Sequence, residues 1–165
     1  MNIVLIGMPG SGKSTIGVLL AKSLLMDFID TDLIIQKEYS SSLSEIISNR
    51  GLLEFKQIEN ECLSKVKCDN TVVATGGSAV YGEQAMQNLL NNAKIVFLSL
   101  EPSEIENRIS NIKTRGIAMQ EGTTITDLYN ERMPLYVKYA DVTIDCKNKT
   151  PEDCVYEIIK KISQN

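Results

Sequence analysis

Gly7-Met8-Pro9-Gly10-Ser11-Gly12-Lys13-Ser14 sets two glycines around four residues and follows them with a lysine and a hydroxyl, which is the pattern of a phosphate-binding loop. Ahead of it runs Ile3-Val4-Leu5-Ile6, a short apolar, mostly β-branched stretch of the kind that forms a strand buried on both faces. Behind it, Ile16, Leu19, Leu20, Ser23 and Leu24 recur at helical spacing. A strand, a glycine loop and a helix start in that order gather backbone N–H groups and the positive end of a helix dipole around one anion. Glycines keep Cβ atoms away from phosphates and accept backbone angles that other residues avoid. Lys13 supplies a point charge for the β- and γ-phosphates, and the Ser14 hydroxyl is a ligand for Mg²⁺. The stretch implies a bound nucleoside triphosphate.

The chain has 165 residues, 43% of them hydrophobic, which suits one domain with a full core. A net charge of −4 and a pI near 5.0 argue against a nucleic-acid or anionic-membrane partner, since both need a basic face. No basic stretch followed by an apolar one precedes the first strand, and no apolar run reaches spanning length, so the expected location is the cytoplasm. Cys62, Cys68, Cys146 and Cys154 are too scattered for metal-ligand spacing and read as small apolar fillers. The chain lacks histidine, which excludes histidine-based nucleophile activation, proton shuttling and metal binding. Acid–base work falls to carboxylates, and phosphoryl transfer runs that way because it depends on positioning and charge neutralisation.

Apolar runs at 3–6, 28–29, 71–74, 95–98 and 142–144 alternate with helical patterns at about 13–25, 43–66, 82–91, 102–111, 124–138 and 152–163. That alternation predicts an α/β fold, a parallel sheet wrapped by helices. Ser103 and Thr126, each near acidic residues, are the expected helix caps, and Pro151-Glu152-Asp153 opens the last helix. Residues 112–123 hold two glycines and an arginine between helices, and read either as a mobile lid over the phosphate site or as a plain surface loop.

Three further groups bear on chemistry. Asp30-Thr31-Asp32 follows Phe28-Ile29, at the strand edge where open α/β sheets keep their crevice. One carboxylate there suits Mg²⁺ held through water and the other a substrate hydroxyl, although Asp-x-Asp after a strand also serves as a helix cap. Thr75-Gly76-Gly77-Ser78 follows another strand, where paired glycines either bring backbone N–H groups to a ligand or make a simple turn. Arginines number only four, Arg50, Arg108, Arg115 and Arg132, against thirteen lysines. Arg115 lies in the lid segment, and Arg132 opens Arg132-Met133-Pro134-Leu135-Tyr136; a guanidinium there suits a carboxylate or phosphate bound by two parallel hydrogen bonds.

Taken in order, the loop through Thr15, Asp30-Thr31-Asp32, Glu54-Phe55-Lys56-Gln57-Ile58-Glu59, Thr75-Gly76-Gly77, the lid arginine and Arg132-Met133-Pro134-Leu135-Tyr136 resemble the shikimate kinase family over nearly the whole chain. The resemblance implies a single three-layer P-loop kinase domain over 1–165, with a five-stranded parallel sheet of order 2-3-1-4-5, an acceptor-binding region at about 31–62 and a lid at about 112–123. It implies transfer of the ATP γ-phosphoryl group to the 3-hydroxyl of shikimate, with Mg²⁺, in a cytoplasmic monomer whose partner is a small molecule. Carried over by position, Gly10, Ser11, Gly12, Lys13, Ser14 and Thr15 bind nucleotide, with Arg108, Lys149 and Pro151 at the adenine. Ser14 and Asp30 serve the metal. Lys13, Asp32 and Arg115 are the expected catalytic residues, and Asp32, Lys56, Gly76, Gly77, Ser78 and Arg132 the acceptor-binding ones.

The chain departs from the family pattern at the acceptor and the lid. Lys56 stands where the family has an arginine that shares the shikimate carboxylate, Ser78 stands third in a glycine triplet, and Gly116-Ile117 replaces proline-leucine. Three other readings stay open at this point: a kinase of another small hydroxylated carboxylate, a non-catalytic nucleotide-binding paralogue, and a nucleoside monophosphate kinase. Lysine at 56 keeps the charge and loses the fork, at a cost of order 1–3 kcal/mol if the bidentate bond matters. Lys56→Arg is therefore expected to lower the KM for shikimate, measured by steady-state kinetics; a raised or unchanged KM would mean a pocket tuned for a different acceptor.

Overall fold

The computed structural model describes residues 1–109 and 116–164. Five parallel strands, β1 (Asn2–Ile6), β2 (Asp27–Asp30), β3 (Thr71–Ala74), β4 (Ala93–Ser99) and β5 (Val142–Asp145), form one sheet in the order β2-β3-β1-β4-β5. Every residue of β1 and β3 is buried. Since successive side chains point to opposite faces, that burial requires cover on both sides of the sheet, as a parallel sheet needs.

The cover comes from seven helices among the described residues: α1 (Lys13–Leu24), α2 (Thr31–Tyr39), α3 (Leu43–Ser64), α4 (Glu83–Leu90), α5 (Pro102–Arg108), α6 (Ile125–Tyr139) and α7 (Pro151–Ile162). A 3₁₀ turn spans Ala79–Tyr81. α1 packs with α7, and α3 packs with α4. No helix is long and apolar enough to cross a membrane among the described residues. The cysteines are free; three are buried and Cys68 is half-buried, in keeping with their reading as fillers.

Three local features differ from the expectation. α2 was hidden by its mixed polarity: only Thr31 and Ile35 are buried in its nine residues. α3 is kinked at Gly51, whose φ of 83° and ψ of 164° interrupt the helix in open space. The caps also fall elsewhere. Thr124, not Thr126, caps α6 in a reciprocal pair with Asp127, because a capping box needs the acid three residues after the hydroxyl. Ser103 lies inside α5, which starts after Glu101 with Pro102 in its first turn, and Thr150 with Asp153 caps α7.

Register puts the functional loops side by side. Ala74 of β3 pairs with both Asp30 of β2 and Leu5 of β1, so these three strands end at one level. The loops after β1 and β3 and the start of α2 therefore leave the sheet next to one another. α1 is held close behind them through Gly17, where a Cβ would stand 2.6 Å from Phe28 Cε2 and 3.4 Å from Leu5 Cδ1. Gly17→Val should cost about 1–3 kcal/mol of stability through overpacking, read as a lower urea midpoint at unchanged m-value; an unchanged midpoint would show that the helix–sheet gap is looser than described.

Candidate active site

A cleft of about 710 Å³ opens at the C-terminal edge of β1, β2 and β3. Among the expected residues, Gly10, Gly12, Lys13, Ser14 and Thr15 line it from the glycine loop, and Asp30 and Asp32 from the start of α2. Gly76, Gly77, Ser78 and Arg132 line it from the β3 loop and α6, and Arg108, Lys149 and Pro151 from α5 and the start of α7. Ser11 is fully buried behind the wall; its N–H donates to Met8 O at 3.2 Å and its hydroxyl faces Lys13 Nζ at 3.5 Å. Arg115 lies outside the described residues.

The loop's shape follows from its glycines. Gly7, Gly10 and Gly12 have φ of 146°, 80° and 96°, and at Gly7 a Cβ would lie 2.6 Å from Leu98 O. The turn brings Lys13 over its own loop, and the ammonium donates to Gly7 O and Met8 O at 2.8 Å each. Burial lowers the Lys13 pKa, while the Asp32 carboxylate draws it back up. Next to it, Ser14 Oγ donates to Asp30 Oδ2 at 2.6 Å, and Asp30 Oδ1 accepts the Asp32 N–H at 3.0 Å. Asp30 thus caps α2 and reaches Ser14 with the same carboxylate, so the helix-cap reading of the Asp-x-Asp pair holds. Asp32, in the first turn of α2, faces the cleft, where burial and the neighbouring Asp30 charge raise its pKa and Lys13 lowers it.

The glycine pair works by leaving space. Gly76 N–H is taken by Thr31 Oγ1 at 3.2 Å, so it is not offered to a ligand. A Cβ on Gly76 would lie 2.5 Å from Glu59 Oε1 and 2.8 Å from Asp32 Oδ1, and one on Gly77 would lie 2.8 Å from Arg132 Nη1. The bare backbone lets two carboxylates and a guanidinium close on one spot. Tyr136, fully buried and stacked on Phe97, fixes this loop by donating to Gly77 O at 2.7 Å. Arg132, 1% exposed, donates through Nη2 to Ala118 O at 2.6 Å, which ties α6 to residues 116–118 on the cleft's rim.

Glu59 is a member of this group that the sequence reading did not single out, although it stands in the Glu54–Glu59 stretch. It is 2% exposed and lines the cleft; Oε2 accepts a hydrogen bond from Ser78 and Oε1 has no partner among the described residues. Burial pushes its pKa up to about 7 against the pull of the Ser78 bond. A glutamate on the buried stripe of α3, in register with Phe55 and Ile58, was the signal available beforehand. Lys56 behaves differently: its ammonium sits 3.9 Å from the Tyr81 ring centroid and it does not line the cleft. At the other edge, Lys149 is engaged by Glu157, and Arg108 lies 3.9 Å from Glu104.

A family model for shikimate kinase matches residues 9–163. The shikimate kinase of Thermodesulfovibrio yellowstonii is 37% identical over 163 residues, covering 97% of this chain and 94% of that protein. Among solved structures, shikimate kinase from Acinetobacter baumannii in complex with shikimate superposes with a TM-score of 0.90 at 28% identity, over 99% of this chain and 93% of that one. Shikimate kinase from Aquifex aeolicus gives 0.84 at 33% identity, over 100% and 98%. The match in sequence spans the glycine loop, the carboxylates and the arginine of the cleft alike, and the fold agrees with it; the chain belongs to the shikimate kinase family.

Proposed function

We propose that this chain is a shikimate kinase that transfers the γ-phosphoryl group of ATP to the 3-hydroxyl of shikimate, giving shikimate 3-phosphate and ADP. The observation that carries the reading is that Lys13, Asp32 and Arg132 line one cleft, with Asp32 Oδ1 against Gly76 and the Arg132 guanidinium against Gly77. A phosphate-binding lysine, a carboxylate and a buried arginine then face a single small acceptor.

In this reading the glycine loop and Lys13 hold the phosphates, the ammonium exchanging its loop carbonyls for phosphate oxygens. Arg108, Lys149 and Pro151 form the adenine side. Arg132 binds the acceptor carboxylate, for which its planar fork is suited. Asp32, buried enough to be a competent base near neutral pH, accepts the proton as the acceptor oxygen bonds to the γ-phosphorus and the bond to the bridging oxygen breaks. The donor set fits Mg²⁺, a hard ion that takes oxygen ligands and keeps its waters: Ser14 Oγ would hold it at the loop's end, and Asp30, hydrogen-bonded to Ser14 at 2.6 Å, would hold it through water. When bound, the ion neutralises charge on the β- and γ-phosphates. Arg115, outside the described residues, takes from its position in the family pattern the role of stabilising charge on the transferred group. The unit is read as one domain, a monomer working in the cytoplasm on a small molecule, without nucleic acid or membrane.

Lys56 on the Tyr81 ring leaves the acceptor carboxylate to Arg132 in this conformation, which keeps a related hydroxy acid as the second reading. ADP release with Mg-ATP, shikimate and quinate separates the two: shikimate-dependent turnover is expected, and turnover on quinate alone would replace the assignment. Asp32→Asn should lower kcat by about 10²–10⁴-fold while ATP affinity, measured by calorimetry, stays within a few-fold; unchanged turnover would remove Asp32 from the chemistry.

A further inference from the structure

Ser78 and Glu59 form a buried pair that the phosphoryl-transfer reading does not use. Ser78 is 5% exposed, and its hydroxyl does not cap the 3₁₀ turn that it precedes. It donates instead to Glu59 Oε2, from the loop after β3 to α3. Among the described residues it is the side chain that bonds Glu59. Lys56, one turn earlier on α3, has its ammonium 3.9 Å from the Tyr81 ring centroid, and Glu59 Oε1 has no hydrogen-bond partner among the described residues. The other charged groups that act on Glu59 are Asp32 from α2, Arg132 from α6 and Lys13 from α1.

The pairing leaves Glu59 Oε1 buried and without a hydrogen-bond partner among the described residues, in the space a Cβ on Gly76 would fill and beside Asp32 Oδ1, all three residues lining the cleft. A buried carboxylate oxygen without a donor is costly unless a ligand supplies one. In the acceptor cleft of a hydroxylated carboxylate, the available donor is a ring hydroxyl. A serine donates one proton, so engaging Oε2 fixes the carboxyl rotamer and favours its charged, accepting form.

We propose that Ser78 is a positioning residue for the acceptor: its hydroxyl holds Glu59 Oε2 so that Oε1 stays turned to the cleft as a hydrogen-bond acceptor for a hydroxyl of the substrate. It rests on the shikimate kinase reading for the identity of that substrate, and it goes beyond it by giving this chain's serine a task at the acceptor.

The test compares the parent, Ser78→Ala, Ser78→Thr, Glu59→Gln and the Ser78→Ala/Glu59→Gln double variant in shikimate and ATP kinetics. Carbon-13 carboxyl titration of Glu59 is followed in the unliganded parent, S78A and S78T, with E59Q to assign the signal. Ser78→Ala should raise the shikimate KM about tenfold, the scale of one charge-assisted hydrogen bond, with kcat and the ATP KM within about twofold. Ser78→Thr, which keeps the hydroxyl, should restore the KM. In the Glu59→Gln background, Ser78→Ala should have little further effect, since its action runs through the carboxylate. Removing the donor favours the neutral acid, so the Glu59 titration midpoint should move to higher pH in Ser78→Ala and return in Ser78→Thr. An unmoved midpoint, or an equal KM rise with and without Glu59, overturns the proposal. A parent without shikimate turnover overturns the substrate assignment instead, and the titration in the unliganded protein still decides whether Ser78 holds Glu59.

Discussion

A buried ammonium in a nest of its own carbonyls is the constraint around which this molecule is organised. Lys13 Nζ bonds Gly7 O and Met8 O, and burial works against its charge while Asp32, Asp30 and Glu59 work for it. Gathering three carboxylates near one lysine and one arginine is stable only where each charge has a partner or a hydrogen bond. Asp30 has Ser14 and the Asp32 amide, Arg132 has Ala118 O, and Glu59 has Ser78. Among the described residues, Oε1 of Glu59 is the buried side-chain oxygen left without a hydrogen-bond partner, in a residue that lines the cleft.

Two devices let these charges stand so close. The sheet register ends β1, β2 and β3 at one level, which sets the phosphate loop, the Asp30–Asp32 turn and the Gly76–Gly77 loop in contact. The glycines then remove the side chains that would keep them apart, since a Cβ at either position would come within 2.8 Å of an ionised group. Tyr136 locks the second loop through Gly77 O, so a residue of α6 that does not itself line the cleft supports the same loop as Arg132 one turn earlier.

Several parts of this arrangement were legible before any coordinates. The phosphate loop, five strands and six of the helices follow from local pattern, because glycine spacing and apolar periodicity are properties of neighbouring residues. The short, amphipathically weak α2 and the kink at Gly51 were not, since the first is stabilised by docking and by its Asp30 cap and the second by chain geometry. Glu59 was passed over because a lone acid on an apolar helix stripe carries no mark of what lies opposite it. Lys56 was placed at the acceptor by position alone, whereas Tyr81, a neighbour only in space, draws its ammonium to a ring face.

By itself the sequence determined the type of fold, the nucleotide-binding loop and the kinase chemistry, since each depends on residues within a few positions of one another or on ordered motifs shared with a family. Only the tertiary structure decided which side chains meet in the cleft. Ser78 and Glu59, or Gly76 with Asp32 and Glu59, come from elements far apart in the chain, and their contact depends on strand register and missing Cβ atoms rather than on local sequence.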